Sequence, residues 1–109
     1  MTERIPFAVL DAYPVSSGHT LAIARRHVSD VFDLTADELA DTLRLIGSAR
    51  DPIDRTLRPT GYDIGVNIGR DAGQTVLHVH IHIIARYPGD CEDPPGGVRG
   101  VIPGKARYR

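Results

Sequence analysis

The sequence predicts an α+β fold: an antiparallel β-sheet with one main helix packed on it. Apolar residues alternate at strand spacing towards both ends of the chain and recur at helical spacing between them. The resulting element order is β-β-α-β-β. The chain has 109 residues and a mass of 11.9 kDa, enough for one domain and too short for two. Hydrophobic residues make up 41% and charged residues 25%, the balance of a globular protein, which excludes a fibrous protein and a long disordered tail. Its apolar runs fall far short of the roughly 20 residues a spanning helix needs, so no membrane partner is expected.

Phe7–Leu10 is a short apolar run, followed by the turn-forming Asp11, Pro14, Ser16, Ser17 and Gly18. Thr20–Ala24 reads as the strand returning from that turn, giving a hairpin with a generous loop. Thr35-Ala36-Asp37-Glu38 is a capping box that opens a helix. Leu39, Leu43 and Ile46 follow on one face, and Ile53 and Leu57 continue the stripe. Pro52 interrupts it; an interior proline costs about 3 kcal/mol, which predicts a kink near Asp51 or two abutting helices. Pro59-Thr60-Gly61 ends the helical region, Tyr62–Ile68 alternates as a strand, and Gly69–Gln74 is a glycine-containing turn. Thr75–Ala85 is the strongest predicted strand. Beyond Arg86 the chain is rich in Pro and Gly, with Val98–Ile102 a candidate short strand. The reading is one domain over 1–109, with a core of about 5–90 and an irregular tail over 91–109.

Thirteen basic against fourteen acidic residues leave a net charge of -1, so no global basic field points to nucleic acid or an anionic membrane. Cys91 is the single cysteine, which excludes an intrachain disulfide and a Cys-x-x-Cys zinc site; it has no evident role. The N-terminal residues carry no signal-peptide pattern, and a cytoplasmic location is expected.

The chemistry is concentrated in the last strand. Alternation places Leu77, Val79, Ile81, Ile83 and Ala85 on one face, which must enter the core. The other face carries Val76, His78, His80, His82 and Ile84, so three imidazoles stand in a row about 7 Å apart. Solvated strand faces usually carry Thr, Lys, Glu or Arg, and a row of imidazoles adds little to folding, so a chemical role explains it better than a polar outer face. Two chemistries suit the row. Neutral imidazoles can bind a metal, or one imidazole can act as nucleophile while its neighbours contact substrate. The preceding turn favours the second. Gly69 and Gly73 allow close backbone approach with N–H groups turned to anionic oxygens, and Gln74 and Thr75 add side-chain donors. Such a turn suits attack on a phosphorus bearing charged oxygens.

His78-Val79-His80-Ile81-His82-Ile83-Ile84 resembles, without a gap, the His-φ-His-φ-His-φ-φ signature of the histidine triad (HIT) superfamily of nucleotide hydrolases and transferases. Asn67-x-Gly69, Ala72-Gly73-Gln74-Thr75 and Arg86 are similar too, as are Asp11, Pro14-Val15, Gly18-His19-Thr20-Leu21 and Arg26-His27-Val28 in the opening hairpin. The resemblance spans roughly residues 7 to 90 and implies a HIT-like fold in a homodimer. It implies that His80 attacks the α-phosphorus of a nucleoside phosphoramidate or dinucleoside polyphosphate. A covalent nucleotidyl-histidine forms, and water releases a nucleoside monophosphate, AMP as the family default. His82 is implied near the leaving group, with His78 orienting the site together with His19. Gln74 and Thr75, with Gly73, are implied at phosphate oxygens, Asp11 at the ribose hydroxyls, and Asn67 at the loop or the phosphate end. His27, in Arg25-Arg26-His27, reads as part of a solvated stretch.

The chain also departs from the family pattern. The zinc-binding cysteine pair of many members is absent, so no structural metal and no tightly bound cofactor are expected, beyond a divalent cation accompanying a polyphosphate substrate. Ala24-Arg25 stands where the family often has Pro-Lys. His82 occupies the position that is glutamine in the sugar-1-phosphate nucleotidylyltransferase branch, which points to hydrolysis over transfer. The tail from Gly96 to Pro103 looks like that of bacterial members; it either covers a dimer edge or brings Arg99 to a phosphate. Two other functions remain open: a purine-nucleotide-binding module with little activity, and a metalloenzyme using His78, His80 and His82 as ligands.

Overall fold

The computed structural model describes residues 5–92 and 94–107. Strands β1 (Phe7–Leu10) and β2 (Thr20–Ile23) form the expected hairpin, with Phe7 opposite Ile23 and Leu10 opposite Thr20. Helix α1 (Ala36–Thr56) leads to β3 (Gly61–Gly65), and β4 (His80–Arg86) returns between β2 and β3. The four strands are antiparallel in the order β1-β2-β4-β3, so the histidine strand lies inside the sheet. No helix among the described residues is long and apolar enough to cross a membrane.

Thr35 caps α1 as the sequence requires: its hydroxyl accepts from the Glu38 N–H at 3.1 Å, and Glu38 accepts from the Thr35 N–H at 2.8 Å. Of the two outcomes expected at Pro52, two abutting helices do not form; α1 continues to Thr56 with Pro52 inside it. Pro52 and Ser48, whose carbonyl loses its usual partner, are both exposed. Leu43, expected on the buried stripe, is 70% exposed. The buried face is centred on Thr42, Ile46 and Ile53, which places Leu43 about 90° around the helix from it. Thr42 is tolerated there because its hydroxyl donates to the Glu38 carbonyl at 2.8 Å.

Ala22, Ile46 and Ile83 form the centre of the helix–sheet core, with Leu45, Ala49, Tyr62 and Ile81 packed around them. Val79 belongs to a second cluster with Ala24, Val31 and Leu34. The predicted strand at 75–85 begins five residues late, at His80, because residues 75–79 leave the ladder. Val79 is instead held by the chain that follows β2: Ala24 N–H donates to its carbonyl at 3.3 Å, and its own N–H donates to Val28 at 2.8 Å. Leu77 thereby misses the core and is exposed. β3 likewise stops at Gly65 rather than Ile68. The candidate strand at Val98–Ile102 is a 3-10 turn over Gly97–Val101, entered through Gly96 at φ +90° and Gly97 at φ +43°, which a strand cannot accommodate.

Candidate active site

Helix α1 covers one face of the sheet, and the other carries the histidines. The register puts Ile23 opposite His80, Leu21 opposite His82, and Gly65 opposite His82 on the other side. The ring centroids of His80 and His82 are 5.3 Å apart.

Hydrogen-bond partners fix which nitrogen of each ring carries the proton. The Val15 N–H donates to His19 Nδ1 at 3.1 Å, so the neutral His19 ring carries its proton on Nε2. That nitrogen donates to His82 Nδ1 at 2.9 Å and lies 3.4 Å from Asp11 Oδ2. His82 therefore accepts at Nδ1 and presents an N–H at Nε2. Burial holds the pKa of His82 below its ordinary value; His19 and His80 lower it further, against the opposing Asp11 carboxylate. His82 is accordingly neutral at pH 7.

His80 has the opposite polarity. Its Nδ1 lies 2.8 Å from the His78 carbonyl, which only accepts, so the proton sits on Nδ1 and Nε2 keeps its lone pair. Neighbouring rings thus carry a nitrogen lone pair, on His80, and an N–H, on His82. Phe7, Leu21, Ile23 and Val76 line a recess of about 400 Å³ bordered by His78 and His80. A second, of about 430 Å³, opens past His82 and Asn67 and is walled by Ile84, Val98 and Val101.

Several of the expected site residues make contacts that the sequence does not show. His78 is paired not with His19 but with His27, the two Nδ1 atoms lying 3.0 Å apart, while its Nε2 donates to the Ala24 carbonyl. Gln74 is buried and turned inward: its Oε1 accepts from the Gly69 N–H at 2.9 Å, and its Nε2 donates to the carbonyls of Ser29 and Val76 at 2.8 and 3.3 Å. Its amide holds the turn through these bonds. The backbone N–H groups of Gly69, Ala72, Gly73 and Gln74 are likewise bonded within the turn, so the expected donor-rich cradle does not form from them. Gly73 remains necessary because it sits at φ +93°. Thr75 is exposed ahead of the row. Asp11 accepts the Tyr13 N–H on Oδ1 at 2.8 Å and turns Oδ2 to His19 and His82. Sequence reasoning passed over His27 and over Phe7, Leu21 and Ile23. The hairpin register alone would have placed those three on the histidine face.

Asp11, His19 and His82 each offer a donor atom within 4.8 Å of the others, the spacing of a three-ligand cation site. The protons argue against it. His19 Nε2 carries a proton as long as the Val15 N–H occupies Nδ1, so a metal would have to break that bond. The row itself is no better as a ligand set, because both nitrogens of His78 are already engaged.

A HIT-domain profile matches residues 3–89, and the chain belongs to that family. It is 35% identical over 89 residues to an AP-4-A phosphorylase of Mycobacterium tuberculosis, covering 81% of this chain and 46% of that protein. It is 37% identical over 90 residues to an asymmetrical bis(5'-nucleosyl)-tetraphosphatase of Schizosaccharomyces pombe, covering 83% and 50% respectively. The chain thus spans about half the length of these two relatives. Among solved structures, a HIT family protein from Bacillus anthracis superposes with a TM-score of 0.75 at 35% identity, covering 79% of this chain and 61% of that one.

Proposed function

We propose that the protein is a nucleotide hydrolase acting at the α-phosphorus of nucleoside phosphoramidates or dinucleoside polyphosphates. It releases a nucleoside monophosphate, AMP by preference, through a nucleotidyl-histidine on His80. The observation that carries this reading is that the neighbouring rings of His80 and His82 hold opposite tautomers, a lone pair on His80 Nε2 and an N–H on His82 Nε2. Neutral imidazole attacks phosphorus without first losing a proton. As the P–N bond forms, the bond to the leaving group breaks. His82, backed by His19 and Asp11, passes a proton to the departing atom. Water then attacks the phosphorus, the P–N bond breaks, and His82 recovers its proton from that water while His80 regains its lone pair. The apolar recess of Phe7, Leu21 and Ile23 suits a purine base, and Asn67 and Thr75 are the proposed phosphate contacts. The names of the two relatives, both nucleotide-processing enzymes, agree with this class.

The test is AMP release from adenosine 5′-phosphoramidate and from a dinucleoside polyphosphate, with and without EDTA, by wild type and His80→Ala. The expected result on the phosphoramidate is turnover that survives chelation and falls at least about a thousandfold in the variant, the scale of losing a nucleophile. Nucleotide binding without turnover of either substrate would make the protein a binding module. Turnover abolished by EDTA and restored by zinc would assign the row to a metal.

A further inference from the structure

We propose that His27 is a positioning residue of the histidine row: together with the Ala24 carbonyl it holds the tautomer and place of His78 and, through the His78 main chain, the ring of His80. The proposal rests on the reading of His80 as nucleophile.

The partners of His78 determine the argument. The Ala24 carbonyl can only accept, so His78 carries its proton on Nε2 and its Nδ1 is a lone pair. The 3.0 Å contact with His27 Nδ1 then requires His27 to donate. The rings meet edge to face, 5.0 Å between centroids, so contact is made by packing as well as by the hydrogen bond. Proton direction therefore runs from His27 to His78 to Ala24, and each link admits one tautomer.

His27 is exposed, but the chain on either side of it is not loose. Arg26 binds the Glu38 carboxylate through Nε at 3.1 Å and Nη2 at 2.9 Å, and donates to the Asp33 carbonyl at 2.7 Å. The Val28 carbonyl receives the Val79 N–H, and the Ala24 N–H reaches the Val79 carbonyl. Residues 24–28 thus curl around His78 and Val79, held by side-chain bonds at Arg26 and backbone bonds at both ends. The His27 side chain completes the grip on His78. What is gripped matters because the His78 carbonyl is the acceptor that keeps the His80 proton on Nδ1 and its lone pair on Nε2. A ring of His78 free to flip or change tautomer would loosen that carbonyl and divide His80 between its two neutral forms, only one of which presents the nucleophile.

The experiment compares wild type with His27→Ala, His27→Phe and His27→Asn. Long-range 15N–1H correlations at the imidazole nitrogens read the tautomers of His78 and His80 without any turnover, and steady-state kinetics on adenosine 5′-phosphoramidate read kcat and KM. Wild type is expected to show His78 protonated on Nε2 and His80 on Nδ1. Alanine, and phenylalanine as a ring without a donor, are expected to mix the His78 tautomers and lower kcat by about three- to tenfold, the scale of one hydrogen bond, with KM unchanged. Asparagine returns an N–H donor near the same place and is expected to restore both signals. Unchanged tautomers in the alanine and phenylalanine variants would overturn the proposal, as would an asparagine variant no better than alanine. A wild-type protein with the stated tautomers but no turnover would refute the hydrolase reading alone and leave the role of His27 standing.

Discussion

His19 donates to His82 because the Val15 N–H holds it in one tautomer, and His82 presents an N–H to the site because His19 donates to it. Protonating His82 would place a second proton on Nδ1, where His19 already points one. This agrees with the direction of its pKa, lowered first by burial and then by His19 and His80. Activity should therefore stay level as pH falls through 7 and drop only below the ordinary histidine value of 6.5. Because the neutral form is favoured in the folded state, the same group makes stability rise with pH up to about 6.5. Asp11 opposes the lowering, so Asp11→Asn should move the acid limb of kcat/KM to lower pH; a limb that stays in place or moves up would contradict this role of the carboxylate. His78, His80 and His82 were legible in the sequence because their alternation along one strand places them, whereas His19, 63 residues from His82, was indicated only by the family resemblance. The role of Gln74 was not legible, since its partner Ser29 lies 45 residues away and only the fold brings them together.

Glu38 does two jobs at the start of α1. It closes the capping box with Thr35 and receives Arg26, which anchors the segment carrying His27. Its carboxyl is held down to about 2, chiefly by the Arg26 guanidinium and then by the Thr35 N–H. A depressed carboxylate stabilises above its unfolded value and loses that effect as pH falls, here from about 4.5 towards about 2. Glu38→Ala should cost about 1 kcal/mol at pH 7, the scale of losing a cap, and should lose less stability than wild type between pH 5 and pH 3 in denaturant titrations. Equal losses in both proteins would show that other carboxylates dominate acid unfolding. The box was readable because all its partners lie within four residues. Pro52 left one kinked helix and two abutting helices equally open: local chemistry forbids the bond, but burial of Ile46 and Ile53 on either side of it holds a single helix through it. The late start of β4 was also hidden, because Val79 finds its partners in Ala24 and Val28, on the far side of α1 in sequence.

At the scale of the molecule the chain has more surface than its mass requires. A monomer of 11.9 kDa is expected to expose about 6,000 Å², and this one exposes 7736 Å². Its radius of gyration is 14.6 Å, against about 13 Å for a compact domain of this length. The excess has an apolar part. Leu10 on the edge strand β1 and Leu43 on α1 are each about 70% exposed, and Ile64 on the opposite edge strand β3 is 46% exposed. Two strand edges flanked by such side chains invite pairing with another chain. The Gly97–Val101 turn lies beside β3 and walls the recess next to His82. Arg99 in that turn donates to the Ala106 carbonyl at 3.3 Å. Burial of this surface against a second copy would bring the exposed area per chain towards that of a compact protein, and a homodimer is the expected state. Light scattering coupled to size exclusion should give twice the chain mass at micromolar concentration. A single species at 11.9 kDa across the accessible range would refute it. Dilution adds a second reading. Recess walls completed by the partner would make specific activity fall as the dimer dissociates, whereas walls complete within one chain would leave it constant.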